Sequence, residues 1–329
     1  MRALGPLVFE PILVEKPWGG RRLADLGRDL PDDTLIGESW DVTDLGGTGD
    51  AAGDPLCSSV VLGPESSGRT LRDLVAAHGV ELLGEMHATS WGGFPLLVKH
   101  LDAGQHLSVQ VHPSAAVIDE LPGAHIKSEA WVVVAAEPDA QIYLGVRPGV
   151  TPEQVEGAFG TPALVELLRT VPARVGDVHD VPAGLIHSLG AGVVVAEPQT
   201  PSDTTYRLYD WTKEYGRAPR DLHRDEAMTC LRAEWSVNLD PPAVRGDDGV
   251  VVRSEAFTVR RVPARGLDVE QVSVEARPSP RTIIVLTGEV GMPDGRLIAP
   301  GGVVVLPAAW SGTLESRHTT SWVEIDLHR

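Results

Sequence analysis

The sequence predicts a mainly β protein made of two β-barrels with a few short helices. Short runs rich in Val, Ile and Leu recur along the 329 residues, and many of the 35 glycines and 26 prolines separate them. Such runs between turn-forming residues are typical of strands joined by tight turns. With 42% hydrophobic residues the chain can bury a sizeable core, and its length suits one large domain or two of ordinary size.

The individual strands are predicted from apolar runs and from alternation of apolar and polar residues. In the first part of the chain they cover residues 94–102, 106–112, 129–136, 141–145, 192–198 and 204–210, and in the last part 257–262, 267–274, 281–287, 302–306 and 320–327. Helical patterns are fewer and are predicted at residues 69–78, 114–120 and 151–170. The last of these opens with Thr-Pro-Glu, and proline suits the first turn of a helix.

A domain boundary is predicted where residues 238–250 become dense in Pro, Gly and Asp. It divides the chain into residues 1–237 and residues 238–329. The pattern Gly-x-x-x-x-x-Pro-Ala occurs at 176–183 and again at 301–308, which suggests that both parts contain related barrels. The second part has no cluster of His and Glu, so we expect it to support the fold and not to catalyse.

Composition excludes several classes of partner. The formal net charge is −18 and the sequence pI is about 5.0, which disfavours nucleic acid and anionic membranes. An anionic substrate would therefore need local positive groups. We expect a cytoplasmic protein, because there is no long apolar run or secretory signal and Cys57 and Cys230 have no metal-like spacing.

The most informative segment is Leu-Ser-Val-Gln-Val-His at residues 107–112. In a strand, alternation places Ser108, Gln110 and His112 on one face and the apolar residues on the other. Buried polar groups need partners, and a metal or a polyhydroxylated substrate would supply them. The alternative is a half-polar strand whose outer face is solvated.

Two further residues complete a set that can bind a metal. Glu129 follows Lys127 at the start of an apolar strand, and His187 follows a Pro-Ala-Gly turn. Taken alone, the first pattern is also typical of a strand end in solvent, and the second of a structural histidine. Together with Gln110 and His112, they offer two imidazoles, a carboxylate and an amide oxygen. That set suits Zn²⁺ or another borderline divalent ion, with a position left for water or substrate.

The segment Ser-Asp-Thr-Thr-Tyr-Arg-Leu-Tyr-Asp-Trp at 202–211 is the last chemical candidate. If it is extended, Asp203, Thr205, Arg207 and Tyr209 share one face. One interpretation is a surface Asp–Arg pair on a strand, which stabilises little. The other is an acid–base group and a fixed cation that point into a pocket.

In this order, the motifs resemble those of type I mannose-6-phosphate isomerases. The resemblance rests on residues 94–103, 107–113, 127–129, 181–187 and 202–211, and on Lys-Pro-Trp-Gly-Gly at 16–20 and Ile-Gly-Glu-Ser-Trp at 36–40. It covers roughly residues 10–215, while the last part agrees only in layout. The chain departs from the family near Gln199, where a pair of glutamines is usual, and at His179, where an aromatic residue is common.

The resemblance implies a double cupin that binds one metal per chain, usually zinc, and interconverts mannose 6-phosphate and fructose 6-phosphate through a cis-enediol. Carried over by position, the metal ligands are Gln110, His112, Glu129 and His187. Arg207 matches the catalytic arginine, Asp203 and Lys127 match acid–base groups, and Ser108 and Lys99 line the sugar-phosphate pocket. Another divalent metal would also suit these ligands.

Several alternatives stay open at this point. The transferring base is Asp203, Lys127 or a metal-bound hydroxide. A lysine near a metal and an arginine should lose its proton more readily than in water. The departures at the pocket wall fit an isomerase of another sugar or sugar phosphate, and a non-catalytic sugar-binding cupin or a metal-dependent dioxygenase is a weaker alternative. We expect a small-molecule sugar phosphate as partner, no nucleic acid or membrane, and a monomer or small homo-oligomer.

Overall fold

The protein is built mainly from β-strands, as the sequence predicts. A computed structural model describes residues 4–45, 57–63, 68–246, 249–263 and 268–328. These residues form twenty strands and five α-helices, together with short 3₁₀ turns. No helix in this part of the chain is long and apolar enough to cross a membrane.

The elements are numbered in chain order. The strands are β1 Val8–Phe9, β2 Ile12–Gly20, β3 Ile36–Val42, β4 Val61–Leu62, β5 Leu97–Ala103, β6 Val109–Val111, β7 Glu129–Ala136, β8 Gln141–Val146, β9 Leu168–Pro172, β10 Val178–Val181, β11 His187–Leu189, β12 Val193–Gln199, β13 Tyr206–Tyr209, β14 Gly249–Arg253, β15 Phe257–Val262, β16 Glu270–Val274, β17 Arg281–Gly291, β18 Leu297–Ile298, β19 Val303–Leu306 and β20 Gly312–Leu327. The helices are α1 Leu71–Leu83, α2 Pro152–Ala158, α3 Thr212–Tyr215, α4 Arg224–Ala233 and α5 Trp235–Leu239.

Two sheets enclose the interior of the first part of the chain. One has six strands in the order β10-β7-β12-β5-β3-β2, and the other has five in the order β13-β6-β11-β8-β9. Their inner faces meet in one apolar cluster, to which Trp131 and Val195 contribute from the first sheet and Ile142 and Leu189 from the second. Alternation along each strand therefore points every second residue into the space between the sheets.

The last part of the chain forms a third sheet, in which β14, β15, β20, β17 and β18 lie side by side, β16 pairs with β20 and β19 pairs with β17. It packs on the outer face of the six-stranded sheet, where Val98 and Val132 share a buried cluster with Phe257 and Ile325. The division at residues 237 and 238 stays a prediction.

The helical predictions are partly correct. The helix predicted at 69–78 is α1, which begins with a capping box between Thr70 and Asp73 and ends at Leu83. The prediction of one helix over 151–170 is wrong, because Gly160 at φ +72° ends α2 and is followed by a 3₁₀ turn and then β9. At 114–120 the structure has a 3₁₀ turn over Ile118–Glu120, and the sequence reading missed α4.

A buried ion pair fixes the segment that follows β2. The Asp102 carboxylate is fully buried and accepts hydrogen bonds from the backbone N–H of Arg22 at 2.6 Å, from its Nε at 3.0 Å and from an Nη at 2.8 Å. Gly20 lies against this carboxylate so closely that a Cβ atom there would approach Asp102 Oδ2 to 2.3 Å. The pair thus holds the end of β2 against β5.

We predict that Asp102→Asn lowers the free energy of unfolding by about 3 kcal/mol, because it removes the buried partner of Arg22 and leaves only the exposed Glu137 at 3.7 Å. Urea unfolding followed by circular dichroism measures the change. The control is Asp294→Asn, since Asp294 pairs with Arg296 at 2.7 Å but both side chains are about one-third exposed. It should change the stability by less than about 0.5 kcal/mol. Equal stability of the two variants would contradict a stabilising role for the buried pair of Asp102 and Arg22.

Candidate active site

Three polar side chains form a row across the five-stranded sheet. Gln110 on β6 lies opposite His187 on β11 and, on its other side, opposite Arg207 on β13. Residues in register on neighbouring strands point to the same face of a sheet. The amide, the imidazole and the guanidinium therefore share the interior face.

Glu129 approaches this row from the opposite sheet. Its Oε1 lies 3.5 Å from His112 Nε2 and 3.2 Å from His187 Nε2. The three side chains are buried, and the candidate ligand atoms of the three residues all lie within 4.8 Å of one another. Donors so close together can hold a single ion.

Backbone carbonyl groups orient both imidazole rings. His112 Nδ1 donates to the Thr204 carbonyl oxygen at 2.9 Å, and His187 Nδ1 donates to that of Leu185 at 2.8 Å. Each ring therefore presents its Nε2 to Glu129, as metal-binding histidines do when the other nitrogen is held. Burial and the charge of Lys127 lower the pKa of His112 to about 3, so this ring is neutral at pH 7.

The Gln110 side chain completes the cluster. Its amide nitrogen lies 3.2 Å from His187 Nε2, and its Oε1 accepts a hydrogen bond from Ser108 Oγ at 3.0 Å. A half-turn of the amide about its last bond would exchange these two atoms and direct the oxygen into the cluster. Gln110 can then be a fourth ligand.

Residues in this cluster fit a divalent metal. His112 Nε2 and Glu129 Oε1 are buried and make no hydrogen bond within the described part of the chain, while Glu129 Oε2 is paired with Lys127 Nζ at 3.1 Å. Buried polar atoms without hydrogen bonds are costly, and a cation between His112 Nε2 and Glu129 Oε1 would satisfy both. Two imidazoles with a carboxylate and an amide suit zinc and other borderline divalent ions.

The turn before His187 depends on a glycine and an asparagine. Gly184 has φ +83°, donates its N–H to the His112 carbonyl oxygen at 2.9 Å and lies so close to Glu234 that a Cβ would approach it to 2.3 Å. The buried Asn238 accepts from the N–H of Ile186 and donates to the Gly184 carbonyl oxygen. These contacts explain the Pro-Ala-Gly motif and place His187 beside His112.

A cavity of about 620 Å³, including its mouth, opens between the two sheets next to the cluster. Its charged lining comes from both sheets and from the loops that lead to them. The cations are Lys16, Lys99, Lys127, Arg207 and Arg220, and the acids are Glu38, Glu197 and Asp203. The excess of cations suits an anionic ligand.

Glu38 holds two of these lysines. Its carboxylate lies 3.2 Å from Lys16 Nζ and 3.6 Å from Lys99 Nζ, and it accepts from Trp40 Nε1 at 2.6 Å. Burial alone would raise the pKa of Glu38, but the two lysines and the indole N–H outweigh it and lower the pKa to about 2. Lys99 also lies over the Trp40 ring, 5.1 Å from its centroid. One wall of the cavity is thus fixed by charge.

The expectation that a metal and an arginine lower the pKa of Lys127 stays a prediction, while the side chains around Lys127 act in the opposite direction. Burial favours its neutral amine, but Glu129 at 3.1 Å, followed by Glu197 and Glu38, raises the pKa above its usual value. Lys127 is therefore a cation at neutral pH. Burial and the charge of Glu129 raise the pKa of Glu197 to about 8, so Glu197 is largely protonated there, while it accepts from Trp131 Nε1 at 2.8 Å.

The segments before β7 and before β13 are tied side by side. The N–H of Thr200 donates to the Ser128 carbonyl oxygen at 3.0 Å, and that of His125 donates to Thr204 Oγ1 at 3.1 Å. These bonds bring Lys127 and Asp203 to the same cavity.

One prediction for this segment is wrong. Thr205 and Arg207 line the cavity with Asp203. Tyr209 does not share their face, because the register of β13 shifts between Arg207 and Tyr209 and turns Tyr209 into the apolar cluster behind the sheet.

The structure brings the predicted site residues together, and their roles stay predictions. Gln110, His112, Glu129 and His187 form the cluster, and Lys99, Ser108, Lys127, Asp203 and Arg207 line the cavity. Sequence reasoning assigned no role to Lys16, Trp18, Glu38, Trp40, Glu197 or Arg220. Four of these six lie in the motifs at 16–20 and 36–40, which could have indicated them.

Comparisons with known proteins agree with this architecture. Residues 10–140 match the model of the phosphomannose isomerase type I catalytic domain. The mannose-6-phosphate isomerase of Streptococcus mutans is 35% identical over 260 residues, which are 77% of this chain and 77% of that protein.

Solved structures show the same fold along the whole chain. The mannose 6-phosphate isomerase of Bacillus subtilis superposes with a TM-score of 0.76 at 24% identity, over 98% of this chain and 99% of that one. A mannose 6-phosphate isomerase bound with zinc and yttrium gives a TM-score of 0.69 at 16% identity, over 99% and 100% of the two chains. The prediction of a double cupin agrees with these neighbours.

We predict that His112→Ala weakens zinc binding at least 100-fold. Mutation of a group that only orients a metal ligand typically lowers metal affinity about 10- to 100-fold, and loss of the ligand itself should cost more. Competition with a chromophoric chelator measures the affinity. His318→Ala is the matched control, since that side chain is 73% exposed and lies far along the chain on β20. Wild-type zinc affinity in the His112 variant would remove this residue from the ligand set.

Proposed function

Because the chain belongs to the type I phosphomannose isomerase family, we propose that it interconverts mannose 6-phosphate and fructose 6-phosphate. The observation that carries the proposal is the buried His–Glu–His cluster beside a cavity rich in cations. The cluster can hold a metal beside C1 and C2 of the sugar, and the cations can bind its phosphate. We place the reaction in the cytoplasm, because phosphorylated sugars are intracellular metabolites.

The reaction makes definite demands on these residues. A proton leaves C2 of the open-chain aldose and arrives at C1, while the proton of the C2 hydroxyl is exchanged for one on O1. A cis-enediol lies between the two sugars. The site must therefore supply a base, a proton donor and positive charge near O1 and O2.

Members of this family are metal-dependent. We propose that His112, Glu129, His187 and Gln110 hold one zinc ion, for which a structural neighbour with bound zinc gives support. A divalent metal held there supplies Lewis acidity toward the sugar oxygens. His112 need not release a proton when the metal binds, since its ring is neutral at pH 7.

Arg207 is proposed to stabilise the negative charge that develops on the sugar. It lies in register with Gln110 on the neighbouring strand and lines the cavity, so its guanidinium faces the isomerising end of the sugar. Arginine stays protonated throughout the reaction and needs no reorganisation when charge appears.

Asp203 and Lys127 are proposed to move the protons. Asp203 is a carboxylate on the cavity wall and takes the C2 proton to C1. Lys127 is kept as an ammonium group by Glu129, so it donates to a sugar oxygen. The ion pair between Lys127 and Glu129 thus supports Asp203 as the base and Lys127 as the acid.

Lys99 and Ser108 are proposed to bind the phosphate. Both line the same cavity, and Ser108 lies two residues before Gln110 on the interior face. Ser108 Oγ donates to Gln110 Oε1 at 3.0 Å, so the proposed phosphate subsite adjoins the metal cluster. A hydroxyl and an ammonium group are both strong donors to phosphate oxygens.

We predict that metal removal abolishes turnover of mannose 6-phosphate and that zinc restores it. A coupled assay for fructose 6-phosphate measures the rate on zinc-loaded protein, on chelator-treated protein and after zinc is returned. Turnover should fall at least 100-fold and recover, because none of the described residues that line the cavity supplies Lewis acidity. Full activity of protein shown to be metal-free would refute the role of the metal. Absence of turnover in protein fully loaded with zinc would refute mannose 6-phosphate as the substrate.

We also predict that Arg207→Ala lowers kcat by about 10²- to 10³-fold, the usual effect of removing one group that stabilises a developing oxyanion. Zinc content, measured by mass spectrometry, should equal that of the wild type. Arg277→Ala is the control, because Arg277 lies between β16 and β17, in the last part of the chain, where it pairs with Asp326. A normal kcat in the Arg207 variant would exclude it from the reaction.

A further inference from the structure

The loop between β12 and β13, residues 200–205, carries two groups on which the proposed reaction depends. Asp203 lines the cavity, and the Thr204 carbonyl oxygen orients the His112 ring by accepting from its Nδ1 at 2.9 Å. Within the described part of the chain, the Asp203 carboxylate has no hydrogen bond or ion pair. The place of this carboxylate in the cavity therefore depends on the backbone of the loop.

A buried serine holds the loop at its centre. Ser202 is fully buried, and its Oγ donates to the His125 carbonyl oxygen at 3.0 Å and accepts from the N–H of Thr204 at 3.2 Å. A serine hydroxyl that accepts from the N–H two residues later closes a tight turn of the backbone. Asp203 is the middle residue of that turn, so Ser202 sets the direction in which the Asp203 side chain leaves the backbone.

The same segment also holds the residue on the other side of Asp203. The N–H of His125 donates to Thr204 Oγ1 at 3.1 Å, while the carbonyl oxygen of His125 accepts from Ser202. Both polar groups of one backbone unit are thus bound to the two neighbours of Asp203. Because consecutive Cα atoms are only about 3.8 Å apart, Asp203 cannot move far while these bonds are intact.

Gln199, the last residue of β12, holds the beginning of the loop. Its side chain is fully buried, and its Nε2 donates to the carbonyl oxygens of Thr200 at 2.9 Å and Ser202 at 2.6 Å. Gln199 is in register with Glu129 on β7, so both side chains point to the interior face of the sheet. The amide therefore links the sheet that carries Glu129 to the loop that orients His112.

We propose that Ser202 and Gln199 are positioning residues for the proposed reaction. Through the shape of the loop, they place the Asp203 carboxylate beside the sugar and keep the Thr204 carbonyl oxygen on the His112 ring. This inference rests on the proposed function, since Asp203 acts as a base only if the chain is an isomerase. The orientation of His112, in contrast, requires only that the cluster holds a metal, so it can be tested without the substrate.

Zinc affinity and steady-state kinetics of Ser202→Ala test the proposal. Competition with a chromophoric chelator should show a zinc affinity about 10- to 100-fold below that of the wild type, the usual effect of losing a group that orients a metal ligand. In protein saturated with zinc, kcat for mannose 6-phosphate should fall about 10- to 100-fold, because a displacement of about 1 Å at a reacting group can cost about 100-fold in rate. KM should change much less, since the side chains proposed to bind the substrate lie on other strands.

Two further variants make the test specific. Ser254→Ala is the matched control, because Ser254 Oγ also donates to a carbonyl oxygen and accepts from an N–H, both of Phe257, in the turn between β14 and β15. It should keep the zinc affinity and the kcat of the wild type. Gln199→Met keeps the length of the side chain without its donors, so it should show both losses and tests the same loop if Ser202→Ala does not fold.

The outcomes separate positioning from a structural role. A purely structural role would lower the free energy of unfolding, measured with urea, and leave both the zinc affinity and the kcat of zinc-saturated protein unchanged. That result in folded Ser202→Ala or Gln199→Met would overturn the proposal. If the wild type does not turn over mannose 6-phosphate, the proposed function fails. The zinc affinities of the variants then still decide whether the loop orients His112.

Discussion

The burial of the Glu129 carboxylate is the constraint on which the rest of the site depends. A buried carboxylate is costly unless cations and donors surround it. Lys127 at 3.1 Å provides the positive charge, and although burial opposes ionisation it holds the pKa of Glu129 well below its usual range. The Glu129 carboxylate in turn raises the pKa of Lys127 and, with burial, that of Glu197. One buried anion thus sets the protonation of its neighbours.

Backbone carbonyl groups fix the orientation of the two histidine rings beside Glu129. Carbonyl groups of Thr204 and Leu185 hold the two imidazoles, and both carbonyls lie outside the strands. The Leu185 carbonyl lies in a turn in which Gly184 adopts a left-handed conformation. Asn238 stabilises this turn by accepting from the N–H of Ile186 and donating to the Gly184 carbonyl oxygen. Rigid backbone donors and acceptors cost little reorganisation, so the ligand atoms converge before any ion is bound.

How far the sequence predicts the structure depends on whether a feature is local. Alternation fixed the bounds of β7 and β15, and motif order placed nine site residues that the structure brings together. Local sequence patterns did not predict features that depend on contacts between residues far apart in the sequence. The register shift in β13 removed Tyr209 from the cavity, and the ion pair between Glu129 and Lys127 was not foreseen. Glu38 and Glu197 went unassigned, because their importance arises only from lysines and a carboxylate on other strands.

The balance of charge in the cavity follows from the same pairing. Five cations face three acids there, although acidic residues outnumber basic ones by 46 to 28 in the chain. Glu38 stays ionised and fixes Lys16 and Lys99, whereas the pKa of about 8 for Glu197 removes one negative charge at neutral pH. Carboxylates thus hold the cations rigidly without cancelling them. A protein whose net charge repels anions can therefore present a preorganised positive surface at the one place where a phosphorylated sugar must bind.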